Sequence, residues 1–369
     1  MKTVKILQNL IAIDSQNPPG NEIKVVEYLQ DFFEKNTKGK CIIQSFENNR
    51  SNLLVYFGVR PRYLFNVHLD TVSVGDKNKW LYDPFSGKIQ NGKLYGRGAC
   101  DNKGSLAAIA GAILKNKPEN CLFLFSADEE QTGKGIKVFI ESDFHKNIEE
   151  ALVAEPTDRE ILVAHMGITG LKVSFIGKSV HSSRPEEGEN SIYLANHFLN
   201  IFQEYYVNIL QKEQNEFLGN GVSSIGYIQG GKDTSVLNTV PDYCEVKIDF
   251  RYIPEYNADQ ILWGVQNLVN TDEVLKDKVR VEQIYKFPSF QAGVDNHSMI
   301  EIIKKVDSQI TLTGARYYTE AADLQEAGIN TIVFGAGSIV QAHQVDEYVE
   351  VKELEYVEKV YTEIFKRLR

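Results

Sequence analysis

Three things are scarce in this sequence. Cysteine is one, with four in 369 residues, at Cys41, Cys100, Cys121 and Cys244, and no CxxC pair. That argues against a disulfide-framed scaffold, which a chain this long does not need, and fits a reducing, cytoplasmic compartment. Long apolar runs are another: none approaches the ~20 residues that a membrane span requires. The N-terminal MKTVKILQNLIAIDSQNPPG is broken by Gln8, Asn9 and Asp14, with Val4, Leu7, Leu10 and Ile11 at helical spacing. It predicts an amphipathic helix and not a secretory segment. Positive charge is the third: 40 Lys and Arg stand against 50 Asp and Glu, a formal net charge of −10. Phosphates would be repelled, so neither nucleic acid nor an anionic membrane is an expected partner. Internal repeats and low-complexity linkers are absent as well.

What is present is a globular composition, 43% hydrophobic and 24% charged, in a chain too long for one ordinary core. Helical spacing recurs in NEIKVVEYLQDFFEKN, where Ile23, Val26, Leu29 and Phe33 share a face, and in the alanine-rich DNKGSLAAIAGAILKN. Short, nearly continuous apolar runs alternate with these helices: SNLLVYFG, RYLFNVHL, NCLFLFSA and EALVAEP. Strands buried on both faces read this way, which predicts an α/β fold with a mostly parallel sheet flanked by helices. The texture changes after Ala164. LKVSFIGKSV and YCEVKIDFRY alternate apolar with polar residues, as strands with one wet face do. Helices are predicted in NSIYLANHFLNIFQEYY and NADQILWGVQNLVN. The buried texture returns in NTIVFGAG, and the chain closes on a helix with Leu354, Val357, Tyr361, Ile364 and Leu368 on one face. The expected organisation is a discontinuous catalytic domain, 1–165 and 285–369, with a smaller α+β domain, 166–284, inserted in it.

Parallel α/β sheets bind ligands beyond the carboxyl ends of their strands. There the sequence places His68 and Asp70, then Asp101 before a helix, Asp128-Glu129-Glu130, Glu155, and late in the chain His343. Two imidazoles and several carboxylates are an N/O ligand set suited to Zn2+, Co2+ or Mn2+, with Zn2+ the foremost expectation. The count suits two divalent ions: Asp101 bridging, His68 and Glu155 completing one position, Glu130 and His343 the other. The three carboxylates offset most of the ions' charge. Side chains two apart on a strand point the same way, so Asp70 can accept a hydrogen bond from the second ring nitrogen of His68. Glu129 and Glu130 face opposite ways on an extended segment, which makes Glu130 the ligand and Glu129 the general base.

The ordered set HLDTV, W-x-x-DPF, YGRGACDNKG, SADEE, VAEPT and a late QAH resembles the M20 metallopeptidase family over nearly the whole chain. TEA at Thr319–Ala321 and QAHQVDEY resemble the N-acetylornithine and N-acetylcitrulline deacetylase branch. The Ser-Asp pair usual in the succinyl-diaminopimelate desuccinylases is not found at Ala322-Asp323. The resemblance implies a metal-dependent deacetylase of N-acetylated amino acids, foremost N-acetyl-L-ornithine in arginine biosynthesis. It also implies a cis peptide after Asp101, and a lid domain through which a homodimer forms. His181 would stabilise the oxyanion, often from the partner subunit. Asn238 and Arg251 would hold the substrate carboxylate, and Glu320 could attract a substrate ammonium.

Overall fold

The computed structural model describes residues 2–206, 210–231, 237–295 and 297–368. The chain divides into two compact units: Met1–Val163 with Ala292–Thr313 and Thr319–Arg369, and Ala164–Gln291 with Gly314–Tyr318. The fold is α/β, a mostly parallel sheet with flanking helices, and a smaller α+β unit is inserted in the chain of the first.

At the centre of the first unit four strands run parallel, in the order Cys121–Ser126, Tyr63–His68, Glu150–Val153 and Asn330–Val333. An antiparallel hairpin, Lys40–Glu47 with Arg50–Phe57, extends one side, joining at Cys121–Ser126. Every residue of Tyr63–His68 and Cys121–Ser126 is buried, as strands covered on both faces must be. Successive side chains alternate between those faces. Phe65 and Phe123 turn to one, where Phe365 of the helix Val351–Arg367 meets them edge-on at 4.8 and 5.3 Å. Each such fully buried ring contributes ~1.5–3 kcal/mol. His68 and Asn66 turn to the other face, so the packing that buries Phe65 also aims His68.

The helices behind this sheet approach closely at Gly111, in the helix Lys103–Lys115. A Cβ there would lie 2.1 Å from Thr3 Oγ1 and 2.6 Å from Glu358 Oε1. The missing side chain leaves room for the Thr3 hydroxyl to donate to Glu358 at 2.5 Å, joining the first and last helices.

The second unit is a four-stranded antiparallel sheet in the order Val222–Gly230, Tyr243–Tyr252, Gly167–Ile176 and Val279–Phe287. Tyr243–Tyr252 alternates strictly between half-buried and buried. Its inner residues Val246, Ile248 and Phe250 pack with Phe198 and Phe202 of the helix Ser191–Tyr205 and with Ile261 and Val265 of Ala258–Thr271. The latter helix opens on a reciprocal capping box between Asn257 and Gln260. This unit runs on to Gln291 and takes in 314–318, where the sequence placed its end at 284. The physical reason is the edge strand Val279–Phe287, paired along Gly167–Ile176 but largely exposed, which leaves little apolar signal to read. Among the described residues no helix is long and apolar enough to cross a membrane.

Candidate metal centre and active site

The parallel register brings the strand ends to one rim. His68 pairs with Ser126, and Asn66 with Val153, so Glu155 and the 127–130 turn both emerge beside His68. Asp101 arrives from the loop before Lys103–Lys115, and its peptide bond to Asn102 is cis. His343 arrives from an irregular segment at φ 62°.

These five side chains form one continuous string. Glu155 Oε1 lies 3.6 Å from His68 Nε2, and the same nitrogen lies 2.9 Å from Asp101 Oδ1. Asp101 Oδ2 lies 3.3 Å from His343 Nε2, which is 3.0 Å from Glu130 Oε2. Candidate ligand atoms of His68, Asp101 and Glu130 all fall within 4.8 Å of one another. Asp101 is the only member that touches both halves of the string.

The donor set fits metal ions. Zinc ligand bonds of about 2.0–2.2 Å put neighbouring donor atoms roughly 3–3.5 Å apart, close to the spacings found. Glu130 Oε1 is buried, and among the described residues nothing donates to it, an acceptor that a cation would satisfy. Charge points the same way. Burial pushes the carboxyls of Glu129 and Glu155 well above the usual range, and neighbouring carboxylates push further. Burial would lower His68, but Glu155, Asp101 and Asp70 outweigh it and hold the imidazole well above its ordinary value. Hydrogen bonds to Asp101 and Glu130 hold His343 up at about 10. Asp101, despite burial, is held low by its bonds to His343 and His68. Buried, crowded carboxyls are a site short of positive charge, which bound cations would supply.

Asp70 differs from expectation in an informative way. His68 Nδ1 meets the main-chain carbonyl of Asp70 at 3.0 Å, while the Asp70 carboxylate is 3.6 Å away. An Nδ1–H donated to that carbonyl would leave Nε2 as the nitrogen that ligates a metal ion held with Asp101 and Glu155. The carboxylate itself accepts from the backbone N–H groups of Glu129 and Glu130, at 3.2 Å each, and from Asn17 Nδ2 at 2.9 Å. Asp70 therefore braces the turn that carries the two glutamates.

A second brace was not legible in the sequence. Asp128, in the left-handed conformation at φ 71°, accepts from Asn17 Nδ2 at 2.9 Å and from Arg50 at 2.6 Å, and also from the Thr132 hydroxyl. Arg50 is in turn paired with the fully buried Glu22 at 2.7 Å. The one signal was the DEE triplet, whose first member carried no assigned role. Glu320, expected to attract a substrate ammonium, is 1% exposed and near enough to Glu129 and Glu155 to raise both; one of its oxygens accepts from Asn66 Nδ2 and Ser126 Oγ, and burial pushes its carboxyl up to about 7.

In the second unit the structure joins His181 with Asn238 and separates both from Arg251. His181 bridges to Thr239, and Ser182 N donates to the Asn238 carbonyl at 2.9 Å. His181 is exposed and its Nδ1 meets Ser183 Oγ at 2.8 Å. These loops leave the sheet where Tyr243 pairs with Ile176, whereas Arg251 pairs with Ile168 at the opposite end. Eight residues of strand, at ~3.3 Å each, put those ends roughly 26 Å apart. Arg251 Nε donates to Asp249 at 2.9 Å, and the Tyr285 hydroxyl holds the other Asp249 oxygen at 2.8 Å.

A buried imidazole, His68, and an exposed one, His343, strung with carboxylates along the strand ends of an α/β sheet are the working parts of a metal-dependent hydrolase. The profile of Peptidase family M20/M25/M40 matches residues 64–367, and the chain belongs to that family. It is 30% identical over 388 residues to a Staphylococcus aureus (strain MSSA476) protein named "Probable succinyl-diaminopimelate desuccinylase", covering 94% of this chain and 92% of that one. It is 28% identical over 381 residues to the acetylornithine deacetylase of Buchnera aphidicola subsp. Schizaphis graminum, covering 98% and 97%. Its fold is that of aminopeptidase PepT from Bacillus cereus, with a TM-score of 0.78, 19% identity and coverage of 99% and 98%. The desuccinylase, which the motifs set further off, is thus at least as similar overall as the deacetylase.

Proposed function

We propose that this protein hydrolyses the amide of an N-acetylated amino acid, releasing acetate and a free α-amine, with N-acetyl-L-ornithine as its substrate and a place in arginine biosynthesis. The observation that carries the reading is the string Glu155–His68–Asp101–His343–Glu130, with Glu129 on the braced turn beside it. His68, Asp101 and Glu155 would hold one divalent ion, and Asp101, Glu130 and His343 the other, with Zn2+ as the metal and Co2+ or Mn2+ as substitutes. Bound there, the ions supply Lewis acidity toward water and the acyl carbonyl. Glu129 takes the proton of the attacking water and delivers it to the leaving amine. Asp70, through the two backbone N–H groups, keeps Glu129 turned toward the reacting atoms. His181 donates to the developing oxyanion.

Arg251 receives the substrate carboxylate, its Nε fixed by Asp249 so that the rest of the guanidinium is presented as a fork. The separation of His181 and Asn238 from Arg251 supports a homodimer formed through the inserted unit. In it, a second copy would supply His181 to the oxyanion. The four cysteines are all free, which suits the cytoplasm.

A second reading, succinyl-diaminopimelate desuccinylase, draws on the 30% identity above; the absent Ser-Asp pair weighs against it. Hydrolysis of N-acetylornithine, N-acetylcitrulline, N-succinyl-diaminopimelate and dipeptides, measured side by side with and without chelator, decides. The proposal expects the highest kcat/KM on N-acetylornithine and loss of activity with chelator. A higher value on the succinyl substrate transfers the assignment to the second reading. Hydrolysis of none of them, with metal restored, would mark an inactive relative.

A further inference from the structure

Glu347 meets the ligand string through the backbone of Asp101, and it is bound to both segments that bring the string's middle together. It is fully buried, and its carboxylate accepts from four donors. Oε1 takes the backbone N–H of Cys100 at 2.8 Å and of Asp101 at 2.9 Å. Oε2 takes the N–H of Gly98 at 3.1 Å and Arg97 Nη1 at 2.6 Å. Its main-chain carbonyl accepts from Gly96 at 2.9 Å. Residues 96–102 belong to no helix or strand, so these N–H groups have no ladder to join. Left buried and unpaired, each would be costly. The same Glu347 lies four residues after His343, in a segment whose His343 and Asp346 both adopt left-handed backbone, at φ 62° and 59°. Besides these bonds, the two segments are joined by Cys100 Sγ donating to the Ser338 carbonyl at 3.2 Å and by the short pairing that follows Glu347, Tyr348 with Tyr95.

We infer that Glu347 is a positioning residue that sets the spacing between Asp101 and His343, and so governs the affinity of the metal position those two share with Glu130. The inference rests on the two-metal reading above. Replacement by glutamine keeps the size but leaves a single carbonyl oxygen where four donors converge. The amide NH2 must then face an N–H or the Arg97 guanidinium, donor against donor. The loop carrying Asp101 is released from the His343 segment, while His68 stays fixed by its strand. The position of His68 and Glu155 should therefore suffer less.

The test is Co2+ titration of the full chain after chelator treatment, following the visible absorption of bound cobalt and counting ions per chain by elemental analysis. Wild type should bind two ions. Glu347→Gln should bind the first close to wild-type affinity and the second ~10–100-fold more weakly, the range found when a partner of a metal ligand is removed. Glu347→Asp, which keeps four acceptor sites at shorter reach, should recover part of the loss. Two ions at wild-type affinity in Glu347→Gln would overturn the inference, as would equal weakening of both positions in step with a lower melting temperature. If Glu347→Gln does not fold, Arg97→Lys reads the same question. It should weaken the second ion by a smaller factor, and an unchanged second affinity would overturn the inference. Fewer than two ions in wild type would sink the two-metal reading itself, and this inference with it.

Discussion

Replacing Asp128 by asparagine isolates the charge in the brace behind the glutamate turn. Asparagine tolerates the left-handed backbone at φ 71°, so the conformation itself is not penalised. What changes is acceptor capacity. Asp128 Oδ1 takes Asn17 and Arg50, while Oδ2 takes the Thr132 hydroxyl and the backbone N–H of Lys134 at 3.3 Å. An amide keeps one acceptor and turns the other into a donor facing donors. Loss of a charged hydrogen bond costs ~1.5–3 kcal/mol. Arg50 keeps its 2.7 Å contact with Glu22, so the cost stays below the ~3–5 kcal/mol of fully orphaning a buried charge. The expected loss is about 2–3 kcal/mol, or roughly 4–12 °C in melting temperature for a unit of this size.

The effect has a pH signature. Burial raises the Asp128 carboxyl, but Thr132, Asn17 and Arg50 outweigh it and hold it below its ordinary 3.8. A carboxylate with a depressed folded pKa stabilises above its unfolded value and loses that contribution as pH falls through the folded one. The gap between wild type and Asp128→Asn, by calorimetry or urea midpoint, should therefore be full at pH 7 and close below about pH 4. No fall in stability at pH 7, or a gap unchanged down to pH 3, would refute the reasoning. The variant should also lower kcat more than it raises KM, because the turn it loosens carries Glu129.

Glu129→Gln should reduce turnover by ~10²–10⁴-fold with two metal ions still bound per chain; elemental analysis showing lost metal would contradict its role as base. Arg251→Lys should raise KM by an order of magnitude or more with a smaller change in kcat, since an ammonium cannot form the bidentate fork; an unchanged KM would remove Arg251 from the carboxylate site. Gly111→Ala should destabilise by about 1–2 kcal/mol: alanine's ~1 kcal/mol helix advantage is outweighed by the 2.1 Å clash and the broken Thr3–Glu358 bond, and thermal melting above wild type would contradict this.

Much of the site was legible because it lies at strand ends. A run such as RYLFNVH is almost wholly apolar, so the polar residues that stop it stand out, and parallel strands carry them to one rim. The bracing residues were not legible for the opposite reason. Asn17 sits in a proline turn, Arg50 opens a strand, and Glu347, though inside QAHQVDEY, carries no mark of what it binds; each acts through partners 53 to 250 residues away.

By itself, then, the sequence determined the fold class, the alternation of buried strands and helices, and the residue types gathered at the rim, since these follow from local periodicity and from where polarity interrupts it. Only the tertiary structure decided that the Asp70 carboxylate braces the glutamate turn while its main-chain carbonyl meets His68. It alone put His181 and Asn238 at the far end of the sheet from Arg251, and tied Asp101 to His343 through Glu347. Those outcomes depend on which donors a buried carboxylate meets across long stretches of chain, and hydrogen-bond partners at that separation leave no periodic trace in one dimension.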